Sequence, residues 1–300
     1  MDMDDFTAKA DAFARLLPAL CDRETTSDPK GWTPENPLWG HCAVVSLAVQ
    51  DRFGGDLMRA SLEKFPKWAE MRSHYWNRFP HGGQRDFTEP QFGGDPPRGL
   101  EAGEKSRAYV LSFGPTRERY RLLSWRIAKA ENAGNALFDD DNVNGALYRT
   151  CYMAAMGSPC QKMRFGSVLM RQGEVVSVAS NATIEPLKAL CEQRCVRLSI
   201  APRTESMIGS CGHAEEFAIW DAVKQGIRPS ECDLYVAGVR MNGSPWLKER
   251  AEHTCLRCAV QMHNAGIQRV FVPVGGRWES VTTAEAIAQA KAYALGEKSV

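Results

Sequence analysis

A chain of 300 residues with 44% hydrophobic content is long enough for two cores, and 37 basic against 36 acidic side chains exclude the strongly basic footprint of a dedicated nucleic-acid binder. Dividing at residue 145 leaves 19 basic and 22 acidic residues before it and 18 and 14 after it, so neither half carries that footprint. The start Met1-Asp2-Met3-Asp4-Asp5 is acidic where a signal peptide is basic, and no apolar run reaches membrane-spanning length. That points to the cytoplasm, where ten cysteines serve as metal ligands, nucleophiles or buried thiols rather than disulfides.

In chain order, Trp39-Gly40-His41-Cys42 opens the apolar run Ala43 to Val49, which Gly54-Gly55 closes. The pattern predicts a buried helix with Cys42 at its N-terminus, where the positive end of the helix dipole favours a thiolate. His74 to Phe79 reads as a strand, and a turn over Pro80 to Gly83 leads into a second strand, Arg85 to Thr88. The hairpin sets Asp86 beside His74. His41 and His81 are expected in loops, and Trp32 and Trp68 in packing.

A cysteine on a helix, a histidine on a strand and a carboxylate on the next strand follow the order of papain-like and transglutaminase-like folds. From about Pro37 to Arg126 the chain resembles the small bacterial YunG-like family, through its HxW and DxT elements, Ser106 to Ser112, and Arg119-Tyr120. The resemblance implies an α+β domain with Cys42 as nucleophile, His74 as base and Asp86 as orienter, by general triad logic. The competing reading is a buried cysteine near an ordinary strand histidine.

Gly134, Asp139-Asp140-Asp141 and Asn142 to Gly145 interrupt the apolar periodicity. The expected division is a first domain over 1–130, a linker over 131–145 and a second domain over 146–300. In the last, segments Gly166–Met170 and Val175–Ala179 read as a hairpin turning at Arg171-Gln172-Gly173, with further strands at Leu234–Val239 and Val270–Val274. Phe217, Ala218, Ile219, Ala222 and Val223 have the spacing of a buried helix face ended by Gly226; Ala259, Val260, Met262 and Ala265 repeat it, ended by Gly266. A hairpin followed by alternating helices and strands predicts a three-layer α/β/α sandwich.

Each of these two helices begins at a cluster of chemistry: His213-Ala214-Glu215 at the first, Cys255-Leu256-Arg257-Cys258 at the second. His213, Cys255 and Cys258 supply three zinc ligands, which leaves one position open for water, as catalytic zinc requires. Glu215 is then a carboxylate free to move protons rather than a ligand. HxE followed by CxxC is the zinc-deaminase pattern. A structural zinc with a further cysteine as fourth ligand is the competing arrangement; the glutamate and the placement at two helix starts favour catalysis.

Over residues 146 to 297 the chain resembles the CMP/dCMP-type branch of the cytidine deaminase superfamily, through Gly166-Ser167-Val168-Leu169, Ser180-Asn181, the HAE box, and Cys258-Ala259 to Val270. Histidine at 213 favours this branch over the free-nucleoside branch. Thr254 stands where the family usually has proline, which loosens the turn before Cys255 and removes no ligand. The resemblance implies substrate contacts from Asn181 and Ala214, a homo-oligomer, one catalytic zinc, and room for a second, structural zinc on Cys191, Cys195 and Cys211; reduced thiols are the alternative there. It also implies hydrolytic deamination of cytosine in a free (deoxy)nucleotide by zinc-activated water, with Glu215 as proton shuttle. Two other functions remain open: deamination of a base within RNA or DNA, which the charge balance disfavours, and a thiol-dependent protein-modifying or binding module whose zinc half recognises a nucleotide. Glu216 is expected to be a helix-face or substrate-side carboxylate, and His253 and His263 ordinary surface or helix residues.

Overall fold

The structure is a computed structural model and describes residues 3–187, 195, 198 and 211–296. The chain divides into two compact units, Met1–Ile127 and Ala128–Val300. No helix among the described residues is long and apolar enough to cross a membrane, and no described cysteine is in a disulfide.

The first unit opens with α1 (Met3–Leu20), whose Ala10, Phe13 and Leu17 form one buried stripe. α2 (Cys42–Phe53) buries every residue from Val44 to Val49, as a central core helix does, and Gly54 ends it with φ of 71°. Strands β1 (Asp56–Ser61), β2 (Ser73–Arg78), β3 (Gln84–Arg85) and β4 (Ala102–Lys105) form an antiparallel sheet in the order β3-β2-β1-β4. Helix α3 (Arg107–Ser112), capped by Ser106, and α4 (Gly114–Glu131) follow. Arg107 pairs with the buried Asp51 carboxylate at 2.9 Å, and Tyr120 hydrogen-bonds both. The expected strand over 85–88 is shorter than predicted. The ladder stops at Arg85 because Asp86 turns the chain, its Oδ1 accepting from the Thr88 N–H at 2.8 Å.

Residues 136–138 form a short 3-10 turn with Leu137 and Phe138 buried, and the Asn142 side chain caps α5 (Val143–Met156) by accepting from the Gly145 N–H. The hairpin of β5 (Arg164–Arg171) and β6 (Glu174–Ser180) turns through Gln172 and Gly173, with φ of 54° and 85°, as a two-residue hairpin loop requires. After β7 (Ala182–Thr183) and β8 (Cys211–Gly212), α6 (Ala214–Lys224) precedes β9 (Asp233–Val239) and β10 (Pro245–Trp246). The chain closes with α7 (Leu256–Asn264), β11 (Arg269–Val274), β12 (Arg277–Thr282) and α8 (Thr283–Leu295). The main sheet runs β12-β11-β9-β5-β6 and is mixed: β9 and β11 are parallel, the other neighbours antiparallel.

Alternation along the strands loads both faces of this sheet. Leu169, Leu234, Val236, Val270 and Val272 pack with Ala218 and Ile219 of α6, Ala259 and Met262 of α7, and Ala286 and Ala290 of α8. On the other face Gly166 meets α5 so closely that a Cβ would fall 1.9 Å from the Cys151 carbonyl oxygen. Helices therefore cover both faces of a mixed α/β fold. Two expected core residues lie outside: Val223 is 46% and Val260 43% exposed. Each extends an apolar run around the helix beyond the stripe that faces the sheet.

Candidate metal centre and active site

His213 is the N-cap of α6 and Cys255 the N-cap of α7, so both ligand groups stand at helix starts, as expected. The short β7–β8 ladder pairs Ala182 with Gly212, which fixes the approach to His213. Gly212 lets the Phe217 ring approach closely, because a Cβ there would sit 2.6 Å from it and the ring would have to move. One donor atom from each of His213, Cys255 and Cys258 lies within 4.8 Å of the others, the only such group among the described residues. His213 Nδ1 is 3.1 Å from Cys258 Sγ and 3.3 Å from Cys255 Sγ. The Cys258 thiol and the His213 ring favour the Cys255 thiolate and bring its pKa down to about 5 against burial, while the same thiol pairing pushes Cys258 up. Two sulfurs and one imidazole converging around a thiolate suit a borderline-soft divalent ion such as zinc.

Glu215, 6% exposed, lies in the first turn of α6. Burial acts to raise its pKa, but the hydrogen bond and charge of His253, with His213 behind, bring it down to about 2. His253 corrects the expectation of a surface or helix residue: it is 5% exposed, and its Nε2 is 3.0 Å from Glu215 Oε1. Its Gln289 partner, which accepts from the His253 N–H at 2.8 Å, sits on α8 and is far away in sequence. Glu216 is a brace. Its Oε2 accepts from the His213 N–H at 2.8 Å and its Oε1 from Arg257 Nε at 2.6 Å, tying the two ligand-bearing helix starts together. A Glu three residues after the N-cap, as in a capping box, was the available signal; the Arg257 contact had none. His263 is exposed at the end of α7, as expected.

A cavity of about 260 Å³ opens over this centre, with His213, Glu215, His253 and Cys255 in its lining. Phe165, Val236, Trp246 and Val272 supply apolar walls, and Lys162 and Lys248 the cationic groups. The Lys248 side chain is 13% exposed, 3.9 Å from Glu252 and 4.7 Å from the Trp246 ring centroid. Asn181 lines the cavity, but its amide already bridges the chain: Oδ1 accepts from the Phe165 N–H at 2.7 Å and Nδ2 donates to the Met163 carbonyl at 2.9 Å. Ala214 is fully buried beside His213. Of the cysteines expected at a second metal, Cys191 lies outside the described residues. Cys195 and Cys211 line the cavity together with Cys160, which sequence reasoning passed over.

In the first unit, Cys42 and His74 are 7% and 1% exposed, and His74 Nε2 is 2.6 Å from Asp86 Oδ2. Burial acts to lower the His74 pKa, but hydrogen bonds and charges from Asp86 and Cys42 raise it to about 10. His81 is exposed, as expected of a loop residue. His41 is not a free loop residue: it is fully buried, with Nε2 2.9 Å from Thr25 Oγ1 and Nδ1 2.9 Å from the Trp39 carbonyl, and burial lowers its pKa to about 4.

Comparison with known proteins finds a different likeness for each unit. Residues 142–274 match the family described as cytidine and deoxycytidylate deaminase zinc-binding region. Residues 9–132 match the family described as YunG protein. Among curated relatives, the uncharacterized protein YunG of Bacillus subtilis (strain 168) is 36% identical over 61 residues, 20% of this chain; the chain spans 46% of that relative's length. Among solved structures, the 1.6 Å crystal structure of cytidine deaminase from Burkholderia pseudomallei aligns over 47% of this chain and 94% of its own at 19% identity, with a TM-score of 0.33.

Proposed function

We propose that the second unit hydrolytically deaminates cytosine in a free nucleotide or deoxynucleotide, giving uracil and ammonia. The observation that carries this reading is a buried carboxylate, Glu215, beside a three-donor centre at the base of a largely apolar cavity. Zinc held by His213, Cys255 and Cys258 supplies Lewis acidity that brings the pKa of water toward neutrality. Glu215 takes a proton from the attacking water and delivers it to the ring nitrogen, and a further transfer releases the exocyclic amine as ammonia. His253 orients the carboxylate through its 3.0 Å contact. The walls of Phe165, Val236, Trp246 and Val272 receive the base and keep water out. Asn181, pinned by its two backbone hydrogen bonds, and Ala214 border the sugar. A nucleotide rather than a nucleoside is supported by Lys248, a desolvated cation whose ion partner is 3.9 Å away, with Lys162 in the same lining.

For the first unit we propose the α+β papain/transglutaminase-like domain. What supports it is the helix bearing Cys42 followed by an antiparallel sheet whose second strand bears His74.

The test is ammonia release by zinc-loaded protein from CMP, dCMP, cytidine, deoxycytidine, cytosine and a cytosine-containing oligonucleotide. Release from the monophosphates, exceeding that from the nucleosides and lost in Lys248→Ala, is expected. Release from the oligonucleotide alone overturns the free-nucleotide reading. Release from none of them overturns cytosine deamination.

A further inference from the structure

Among the described residues, the one cluster of nucleophile, imidazole and carboxylate that the deaminase reading leaves unused lies in the first unit. We propose that this unit is a second catalytic centre, a thiol acyl-transfer site in which Cys42 attacks a carboxamide carbonyl, His74 carries the proton, Asp86 orients His74 and Gln91 donates to the developing oxyanion. The proposal is independent of the deaminase reading.

The geometry assigns each part. Cys42 is the first residue of α2, so its own backbone N–H has no intrahelical partner and points out of the helix start beside the thiol. His74 Nε2 is committed to Asp86 at 2.6 Å, which leaves Nδ1 to serve the sulfur. Asp86 is held in turn, its Oδ1 accepting from both the N–H and the hydroxyl of Thr88 at 2.8 Å. The imidazole is sandwiched: Trp76 stacks at 5.8 Å between centroids and Phe92 meets it edge-on at 4.9 Å. Gln91, 1% exposed, has its Oε1 3.3 Å from the Gly40 N–H, its carbonyl accepting from Asn36 at 2.9 Å, and its Nε2 3.4 Å from His74 Nδ1. An amide nitrogen so fixed beside the proton-carrying atom is placed to serve as a preorganised donor.

The step balances. The Cys42 proton passes to His74 Nδ1, and the thiolate forms a C–S bond while the carbonyl electron pair moves to oxygen, between the Cys42 N–H and Gln91 Nε2–H. Collapse of that adduct breaks the C–N bond, and His74 returns its proton to the leaving amine. Water then attacks the thioester with His74 as base, the C–S bond breaks, and the acid and free thiol are released. His74, held by Asp86 through Nε2 at 2.6 Å, keeps the proton it has taken from Cys42 on Nδ1 and is placed to return it to an amine leaving group, which suits amides as the substrate class.

The experiment uses the full chain and two probes, iodoacetamide with residue-level mass spectrometry and p-nitrophenyl acetate as a surrogate acyl donor. Cys42 is expected to alkylate at neutral pH at least about tenfold faster than Cys160, and to acetylate with a burst of p-nitrophenol that is absent in Cys42→Ala. Gln91→Ala is expected to slow acetylation by about 10²-fold while leaving alkylation within a few-fold, since only the acyl reaction builds an oxyanion. Rescue of that loss in Gln91→Asn or Gln91→His supports the donor role. Wild-type protein in which Cys42 alkylates no faster than Cys160 and gives no burst overturns the centre without any variant having to fold. Equal slowing of both reactions in Gln91→Ala overturns the role of Gln91.

Discussion

The two units each set a sulfur at the start of a helix, Cys255 on α7 and Cys42 on α2, and surround it with different partners. Around Cys255 stand a second thiol three residues on and an imidazole at 3.3 Å, an arrangement of donors that converge on a point. Around Cys42 stands an imidazole whose other nitrogen is occupied by a carboxylate at 2.6 Å, an arrangement that directs a proton. The helix terminus supplies the same favourable potential in both. What differs is whether the neighbouring groups point their lone pairs at a shared centre or pass a hydrogen between them, and that is the ground for proposing a metal ligand in one unit and a nucleophile in the other.

The largest expected effect is loss of the shared centre. Cys258→Ser should leave the protein with little zinc after dialysis and no measurable deamination, whereas Cys42→Ser should retain wild-type zinc by elemental analysis. Equal zinc in both would erase the distinction between the two sulfurs. Next, Glu215→Gln should retain zinc and lose about 10²- to 10⁴-fold in deamination rate, because the carboxylate moves protons and is not a donor to the metal. Turnover within a few-fold of wild type would place the proton shuttle elsewhere.

Packing comes third. Phe138→Ala should cost about 3 to 5 kcal/mol in the unfolding of the second unit, since the ring is 2% exposed and packs against Tyr148 at 5.1 Å. Denaturant melts of the full chain measure it, and a loss below about 1 kcal/mol would mean that residues 136–138 are a linker after all.

The directed proton of the first unit carries a pH signature. The folded-state His74 pKa stands raised from 6.5 to about 10, so its stabilisation is fully present below pH 6.5 and is lost as pH rises through about 10. The wild-type melting temperature should therefore fall more than that of His74→Gln between those limits; parallel pH profiles would show that the ring is neutral. The smallest effect is expected at the brace. Arg257 is 41% exposed, so Arg257→Ala should cost no more than about 1 kcal/mol in stability, with a few-fold weaker zinc retention read by chelator competition. A complete loss of zinc would make Arg257 indispensable to the centre.

Much of this was legible in the chain itself. The three donors that the structure groups, His213, Cys255 and Cys258, and Glu215 come in two short runs, and the caps, the hairpin turn and the closing glycines of α6 and α7 are local signals, so this cluster could be read before it was seen. His253 could not. It lies two residues before Cys255 with no motif of its own, and it reaches Glu215 only because α7 and α6 start side by side. Gln91 was missed for the same reason, sitting in a short 3-10 turn after Thr88 with no periodicity to mark it. His41 lies outside helix and strand, as expected, but a loop position says nothing about burial, and here the Thr25 and Trp39 contacts enclose it.

The sequence by itself determined which chemistry is available: residues within a turn of one another share a helix start through backbone geometry alone, and that brings Cys255 to Cys258 and His213 to Glu215. It also determined the strands and helices that alternate through the second unit, because their burial follows a period of two or of 3.6. Only the tertiary structure decided which groups from separate runs meet. Sequence separations of 42 for His213 and Cys255, 38 for Glu215 and His253, and 49 for Cys42 and Gln91 are closed by the packing of helices on sheets. That packing is driven by nondirectional burial of apolar surface, so the pairing of polar groups it leaves in contact has no local signature to read.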